Sequence, residues 1–246
     1  NAYLPGEIVW TKNATEALNL VAHGYGRKFL KAGDEVVISR MEHHSNIVPW
    51  HQLATDKGVV VRAVELNADG TLRLEDLDRF LAGGKVKIVA LTHVSNVLGA
   101  INPIAEIAPK VHAAGAVLVV DGCQAVPHMP VNVQALGADF YAFSSHKMLG
   151  PTGLGVLWGR MELLKKMNPF LGGGEMIEEV RLDDFTWKEP PGKFEAGTPP
   201  IAETAGHTAA LEYLQKLGMA RIRAHEQEIM LYALERLKAV KGLKLF

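Results

Sequence analysis

Short apolar runs of strand length recur along this chain, and the segments between them carry apolar residues at helical spacing. Ile8-Val9-Trp10-Thr11 reads as a strand, and Ala14 to Leu30, with Ala17, Leu18, Val21, Ala22 and Tyr25 on one face, as an amphipathic helix. Further strands are expected at Glu35–Ser39, Val59–Leu66, Val86–Leu91, Ala116–Val120, Phe140–Phe143 and Leu154–Trp158. Helices are expected at Leu74–Leu81, with an acidic first turn, at Pro103–Ala114, opened by proline and closed by Gly115, and at Met161–Met167. The run at Val86–Leu91 is of the continuous kind found in strands buried on both faces. This alternation predicts an α/β fold: a mostly parallel, doubly wound sheet with helices on both faces.

In such sheets ligands bind at the carboxyl ends of the strands, so the polar residues just past each apolar run carry the functional reading. The stretch Val117 to Gly155 places Asp121 at the end of one run, with Gln124 three residues on. Ser144, Ser145, His146 and Lys147 end the next run, ahead of a glycine- and proline-rich loop. Asn96 lies beyond the end of Val86–Leu91, where its amide could hydrogen-bond a ring substituent. A lysine and a carboxylate so placed suit a pyridoxal phosphate (PLP) site, where lysine makes the Schiff base and the acid pairs with the pyridinium nitrogen. The helix entry Thr11-Lys12-Asn13-Ala14-Thr15-Glu16 is rich in cap residues. It could hold a phosphate on its free N–H groups, although taken alone a plain N-cap is the better reading. The paired His43 and His44 invite a metal reading, but there is no HExxH or CxxC and His51 is badly spaced, so no metal is expected. A histidine there could stack on an aromatic cofactor, move protons, or be a hydrogen-bonded loop residue. Sequence alone does not separate these.

Composition excludes several classes. The chain is 48% hydrophobic and 22% charged with a formal net charge of −1 and no basic stripe, so neither nucleic acid nor an anionic membrane is expected as a partner. No stretch approaches a transmembrane span, and the opening residues do not read as a signal peptide, so neither is expected. A single cysteine, Cys123, rules out an internal disulfide and fits a reducing, cytoplasmic compartment. Leu171 to Pro200, with three consecutive glycines and a proline cluster, reads as a long irregular excursion of functional or interfacial use. Ile201–Leu217 and Ala220–Val240 read as long helices broken at Gly218, and Leu243 to Phe246 as the start of a strand. Starting without methionine and stopping inside that apolar run, the chain reads as an excerpt of a longer protein. Residues 1–200 are expected to form the ligand-binding large domain, and 201–246 a helical connection into a truncated small domain.

The segments TKNATEALNLVA, EHHSNIVPW, THVSNVLG, DGCQAV, DFYAFSSHKMLGPTGLGVLWG, GGGEMI and FEAGTP together resemble the SufS/CsdA-type cysteine desulfurases, in order and approximate spacing. These are PLP enzymes of fold type I within the class V aminotransferase superfamily, and the resemblance runs from Trp10 to the end. It implies that Lys147 binds PLP covalently and acts as acid and base at the substrate Cα. Asp121 would pair with the ring nitrogen, Gln124 and Asn96 would sit at the ring hydroxyl, and His43 would stack on the ring and assist proton transfer. The Ala14 backbone and the side chains of Thr15, Ser144 and His146 would cradle the phosphate. Thr198 would reach the phosphate of the neighbouring subunit in a homodimer. The implied reaction takes sulfur from L-cysteine, or L-selenocysteine, as an enzyme persulfide and releases alanine for iron–sulfur cluster assembly or other sulfur delivery. A SufE- or SufU-like protein would be the acceptor.

The chain departs from the family pattern in four places. Asn13-Ala14 replaces an expected glycine-threonine pair, Ser145 stands where glycine is common, and Cys123 stands where alanine is usual. The family's nucleophilic cysteine has no counterpart here, and Cys123 is read as a structural residue in a tight turn. Other readings stay open on sequence grounds: a class V aminotransferase, epimerase or kynureninase-like lyase, or a non-catalytic subunit of the same fold.

Overall fold

A computed structural model describes residues 1–245. The strands are β1 (Ile8–Thr11), β2 (Glu35–Ser39), β3 (Val60–Val64), β4 (Val86–Thr92), β5 (Val117–Asp121), β6 (Phe140–Ser144), β7 (Gly155–Gly159), β8 (Ile177–Val180) and β9 (Phe185–Trp187). The helices are α1 (Ala14–Val21), α2 (Arg27–Phe29), α3 (Val48–Lys57), α4 (Leu74–Ala82), α5 (Ile104–Ala113), α6 (Val133–Leu136), α7 (Met161–Lys166), α8 (Ile201–Leu217) and α9 (Met219–Lys238).

Seven strands form one sheet in the order β1-β7-β6-β5-β4-β2-β3. The pairs from β3 through β2, β4 and β5 to β6 are parallel, while β7 runs antiparallel to both β6 and β1. The expected mostly parallel sheet is therefore present, with a reversed strand near one edge. Alternation along each strand splits the core in two. Val36, Ile38, Ile88, Ala90, Val119 and Phe140 pack with α1 and α3 through Leu18, Val21, Trp50 and Leu53. Their neighbours Val37, Val89, Leu91, Leu118, Val120 and Tyr141 pack with α4 and α5 through Leu77, Leu81, Ile104 and Ile107.

Connection handedness explains why both faces are covered. The step from β2 to β3 through α3 goes outward, and the step from β3 to β4 through α4 returns across β2. Right-handed crossovers in opposite directions must lie on opposite faces. The direction of travel thus reverses between β2 and β4, and the carboxyl ends of those strands open a crevice there.

Four local expectations are corrected. The helix expected over 14–30 is regular only to Val21; a wider π-turn, Ala22–Gly26, follows before α2. Gly24 and Gly26 make this turn possible: a Cβ on Gly24 would lie 2.4 Å from the Asn168 carbonyl oxygen, and one on Gly26 2.8 Å from Leu53. The strand expected over 59–66 is confined to Val60–Val64, with Leu66 instead bridging Leu72 across a turn. The excursion 171–200 contains the antiparallel β8–β9 hairpin, whose solvent-facing charges hide its strand pattern. No strand forms at Leu243–Leu245, while Phe246 lies outside the described residues. The break between α8 and α9 falls at Gly218, at φ 85°.

Candidate functional site

The carboxyl ends of β2, β4, β5 and β6 and the start of α1 surround a cavity of about 450 Å³. Nine of the ten residues singled out from sequence line it: Ala14 and Thr15 from α1, His43 after β2, Asn96 after β4, Asp121 and Gln124 at β5, and Ser144, His146 and Lys147 at β6. Thr198 does not. It lines a separate, mostly apolar cavity of about 420 Å³ between β1, α1 and the segment around Phe194.

The α1 entry is built by reciprocal capping. Asn13 is extended, its Oδ1 accepts from the Glu16 N–H at 2.9 Å, and the Glu16 carboxylate reaches back to the Lys12 N–H. Asn13 thereby supplies the cap that this helix needs, although it departs from the family pattern. Gly155 lets β7 pass beneath this entry, since a Cβ there would lie 2.4 Å from the Asn13 Cα. The Ala14 N–H donates to the Ser144 Oγ at 2.9 Å, so two groups expected at the phosphate bond each other. Because Ser144 accepts that bond, its own hydroxyl proton is free to point elsewhere. The remaining α1 N–H groups and the helix dipole make this end of the cavity favourable to an anion.

Asp121 ends β5, 3% exposed. Burial raises its carboxyl pKa, opposed by the Cys123 N–H at 3.0 Å and by the charges of His43 and Lys147. The next residue must be glycine: a Cβ on Gly122 would sit 1.9 Å from the ring of Tyr141, whose hydroxyl is paired with His93 Nδ1 at 2.9 Å. Burial pushes the Cys123 thiol up to about 12, which leaves it an inert group in a tight turn.

His43 starts a short turn after β2. The Ser45 N–H donates to its Nδ1 at 3.2 Å, and the Ser45 Oγ lies 2.8 Å from the same nitrogen. A backbone donor on Nδ1 assigns the ring proton of the neutral form to Nε2. Beneath the turn, buried Glu42 accepts from the Ser39 hydroxyl and from Asn46 Nδ2 at 2.7 Å, while Asn46 Oδ1 accepts from the Trp50 indole at 3.1 Å. Burial raises the Glu42 carboxyl to about 7, with Asp121 adding to the effect.

Lys147 and His146 project from the one-turn helix Ser145–Met148 and are exposed. The turn closes on Leu149 at φ 67°, an uncommon conformation for a non-glycine residue, held by the Gly150 N–H on the Ser145 carbonyl at 3.0 Å.

Asn13, Ser45, Thr92, Val94 and Cys123 also line the cavity, and Glu42 supports it from below; none of these was singled out from sequence as a site residue. Ser45 and Glu42 flank the histidine pair in the sequence, but a loop acid among histidines gives no sign that it will be buried. No group of three or more His, Cys, Asp or Glu residues is placed to hold a metal ion among the described residues.

The donor set suits PLP. A primary amine and a buried carboxylate sit beyond adjacent strands, and hydroxyl, imidazole and helix N–H groups gather at the α1 end. Among the described residues, the side chains of Thr15, Asn96, Gln124, His146 and Lys147 form no hydrogen bond. They remain available to a ligand.

Comparison with known proteins follows the same lines. The model of the aminotransferase class-V family matches residues 1–246. A probable cysteine desulfurase of Halalkalibacterium halodurans is 52% identical over 240 residues, 98% of this chain and 59% of that protein. The crystal structure of the cysteine desulfurase CsdA (S-sulfonic acid) from Escherichia coli superposes with a TM-score of 0.96 at 42% identity, covering 98% of this chain and 60% of that one. A C-DES mutant with glycine covalently linked to its PLP cofactor superposes with a TM-score of 0.85 at 28% identity, covering 95% of this chain and 63% of that one. The chain thus spans about three-fifths of the curated relatives' length.

Proposed function

The chain belongs to the class-V aminotransferase family, and from that premise we propose that it is the cofactor-binding part of a PLP-dependent cysteine desulfurase. The observation that carries the reading is the convergence, around one cavity, of the Lys147 amine, the buried Asp121 carboxylate, His43 and the capped start of α1. The desulfurase relatives favour sulfur transfer over other chemistries of the family.

PLP held here would supply a cationic ring that stabilises negative charge developing at the substrate Cα. Lys147 would hold the cofactor and then accept and return the Cα proton. Asp121 would pair with the ring nitrogen, whose positive charge would offset the cost of keeping this carboxylate ionised in a buried position. Gln124 and Asn96 would hold the ring hydroxyl. His43, with its Nε2–H fixed by Ser45, would stack on the ring and move protons at the substrate. Thr15, Ser144, His146 and the α1 N–H groups would neutralise the phosphate.

In the net reaction the Cβ–S bond of L-cysteine breaks, its sulfur joins an enzyme thiol as a persulfide, and protons complete L-alanine. Cys123 is the only cysteine in the sequence, and its thiol, pushed up to about 12, is unsuited to that attack. We therefore place the accepting cysteine outside residues 1–246. We further propose that residues 1–200 form the large domain and that 201–246 lead into a smaller one. Support comes from α9, which buries no residue and exposes Ile229, Met230, Leu231 and Tyr232. Thr198, outside the cavity, fits a role toward the neighbouring subunit of a homodimer. A SufE- or SufU-like acceptor and a cytoplasmic location complete the proposal; no helix among the described residues is long and apolar enough to cross a membrane.

The test is product analysis of the full-length, PLP-loaded protein with L-cysteine. Alanine and persulfide sulfur in equal amounts, both lost in Lys147→Ala, are expected. Pyruvate without alanine, or amino transfer without sulfur release, overturns the reading.

A further inference from the structure

One buried polar contact beside the lysine turn is not used by this chemistry. The Ser145 Oγ lies 2.9 Å from His207 Nδ1, and the two residues are 0% and 2% exposed. Ser145 opens the turn that carries His146 and Lys147, whereas His207 sits on α8, sixty-two residues away, as one of the three buried residues of that helix. The imidazole is walled by Trp10, edge-on at 6.1 Å, and Phe143 at 6.5 Å. Burial keeps its pKa below the usual histidine value. The junction leaves no spare volume, because a Cβ on Gly150 would lie 2.0 Å from the Ser145 Oγ and 2.9 Å from His207 Nδ1. The backbone of Ser145 is held by Leu154 and Gly150, each at 3.0 Å, so His207 provides the anchor that comes from a distant helix.

We propose that His207 is a positioning residue: through Ser145 it fixes the turn that presents Lys147 and couples the placement of α8 to the reach of that amine. The inference rests on Lys147 being the lysine that binds PLP. It also accounts for serine at a position where the resembling family commonly has glycine, since glycine has no side chain to take up the imidazole.

The physics sets the test. Removing one partner of a buried hydrogen bond leaves the other unsatisfied, whereas removing both is close to neutral. His207→Leu strands the Ser145 hydroxyl, Ser145→Gly/His207→Leu removes both groups, and His207→Asn retains a polar atom near the Nδ1 position. In the full-length, PLP-loaded protein the readouts are the absorbance maximum of the lysine-linked cofactor and the rate of PLP release on dilution, with the unfolding midpoint as a structural control. His207→Leu is expected to release PLP about tenfold faster and to move the absorbance maximum, His207→Asn to stay within about threefold of wild type, and the double variant to recover the unfolding midpoint but not the PLP release rate. An unchanged absorbance and release rate in His207→Leu, whatever its unfolding midpoint, overturns the inference. So does a double variant that recovers the wild-type release rate along with its unfolding midpoint. Absence of a lysine-linked band in the wild type, or its persistence in Lys147→Ala, instead overturns the cofactor reading and this inference with it.

Discussion

Replacing Glu42 by glutamine should make the protein more stable at neutral pH while leaving it unchanged in acid. Glu42 is buried beneath the His43 turn, with its oxygens on the Ser39 hydroxyl, Asn46 Nδ2 and the Thr92 N–H. Burial raises its carboxyl from 4.5 to about 7, helped by the nearby Asp121. An acid whose folded-state pKa is raised binds its proton more tightly folded than unfolded, so folding stability falls as pH rises between the two values. The penalty is absent below 4.5, grows by about 1.4 kcal/mol per pH unit and levels off above about 7 at roughly 3 kcal/mol. Glutamine keeps the contacts, with its oxygen accepting from Asn46 and Thr92 and its amide donating to Ser39, but it has nothing to ionise. Urea unfolding of the cofactor-free protein, followed by tryptophan fluorescence from pH 5 to 8, reads the difference between wild type and Glu42→Gln, in which the other titrating groups cancel. The two should differ by less than about 1 kcal/mol at pH 5, and the variant should lead by roughly 3 kcal/mol at pH 8. Parallel curves, or a variant less stable at every pH, would refute the reasoning, because they would mean that Glu42 is ionised and well solvated by its donors at neutral pH.

Gly155→Ala drives a Cβ against the Asn13 backbone at 2.4–2.5 Å, where no side-chain rotation relieves it. A loss of about 1–3 kcal/mol in stability and at least about tenfold weaker PLP binding, from displacement of the α1 start, are expected by unfolding and cofactor titration; unchanged PLP affinity would show that the cradle does not depend on this contact. With its thiol pushed up to about 12, Cys123 should react with iodoacetamide at pH 8 at least about tenfold more slowly than an ordinary thiol, the loss of thiolate outweighing the gain in its nucleophilicity. Peptide mass analysis would show this, and rapid labelling would contradict the inert assignment.

Much of the architecture was legible because burial leaves a local trace. The alternation of Val36, Val37 and Ile38, or of Val119 and Val120, between the two faces follows from period two, and helices between such runs imply a parallel sheet. Asp121, Ser144 and Lys147 could be singled out because polar residues just past a buried run stand at the ligand-binding edge. The β8–β9 hairpin was not legible, since solvent-facing strands such as Ile177–Val180 carry charges on both sides and show no apolar alternation. The buried role of Glu42 was equally hidden, for an acid in a loop reads as solvated until its neighbours close over it.

By itself the sequence determined the strands of the large sheet and most of the helices between them, and hence which polar side chains stand at the sheet's carboxyl edge. Only the tertiary structure decided which of those ends are neighbours. The reversal of direction between β2 and β4 brings His43 to Asp121, and the antiparallel β7 carries Gly155 under Asn13. It also assigned Ser144 to Ala14 and Ser145 to His207, and it left Thr198 in a different cavity. Local pattern encodes how much of a residue is buried. Who shares that burial is set by crossover handedness and close packing between segments far apart in the chain, and no local period records it.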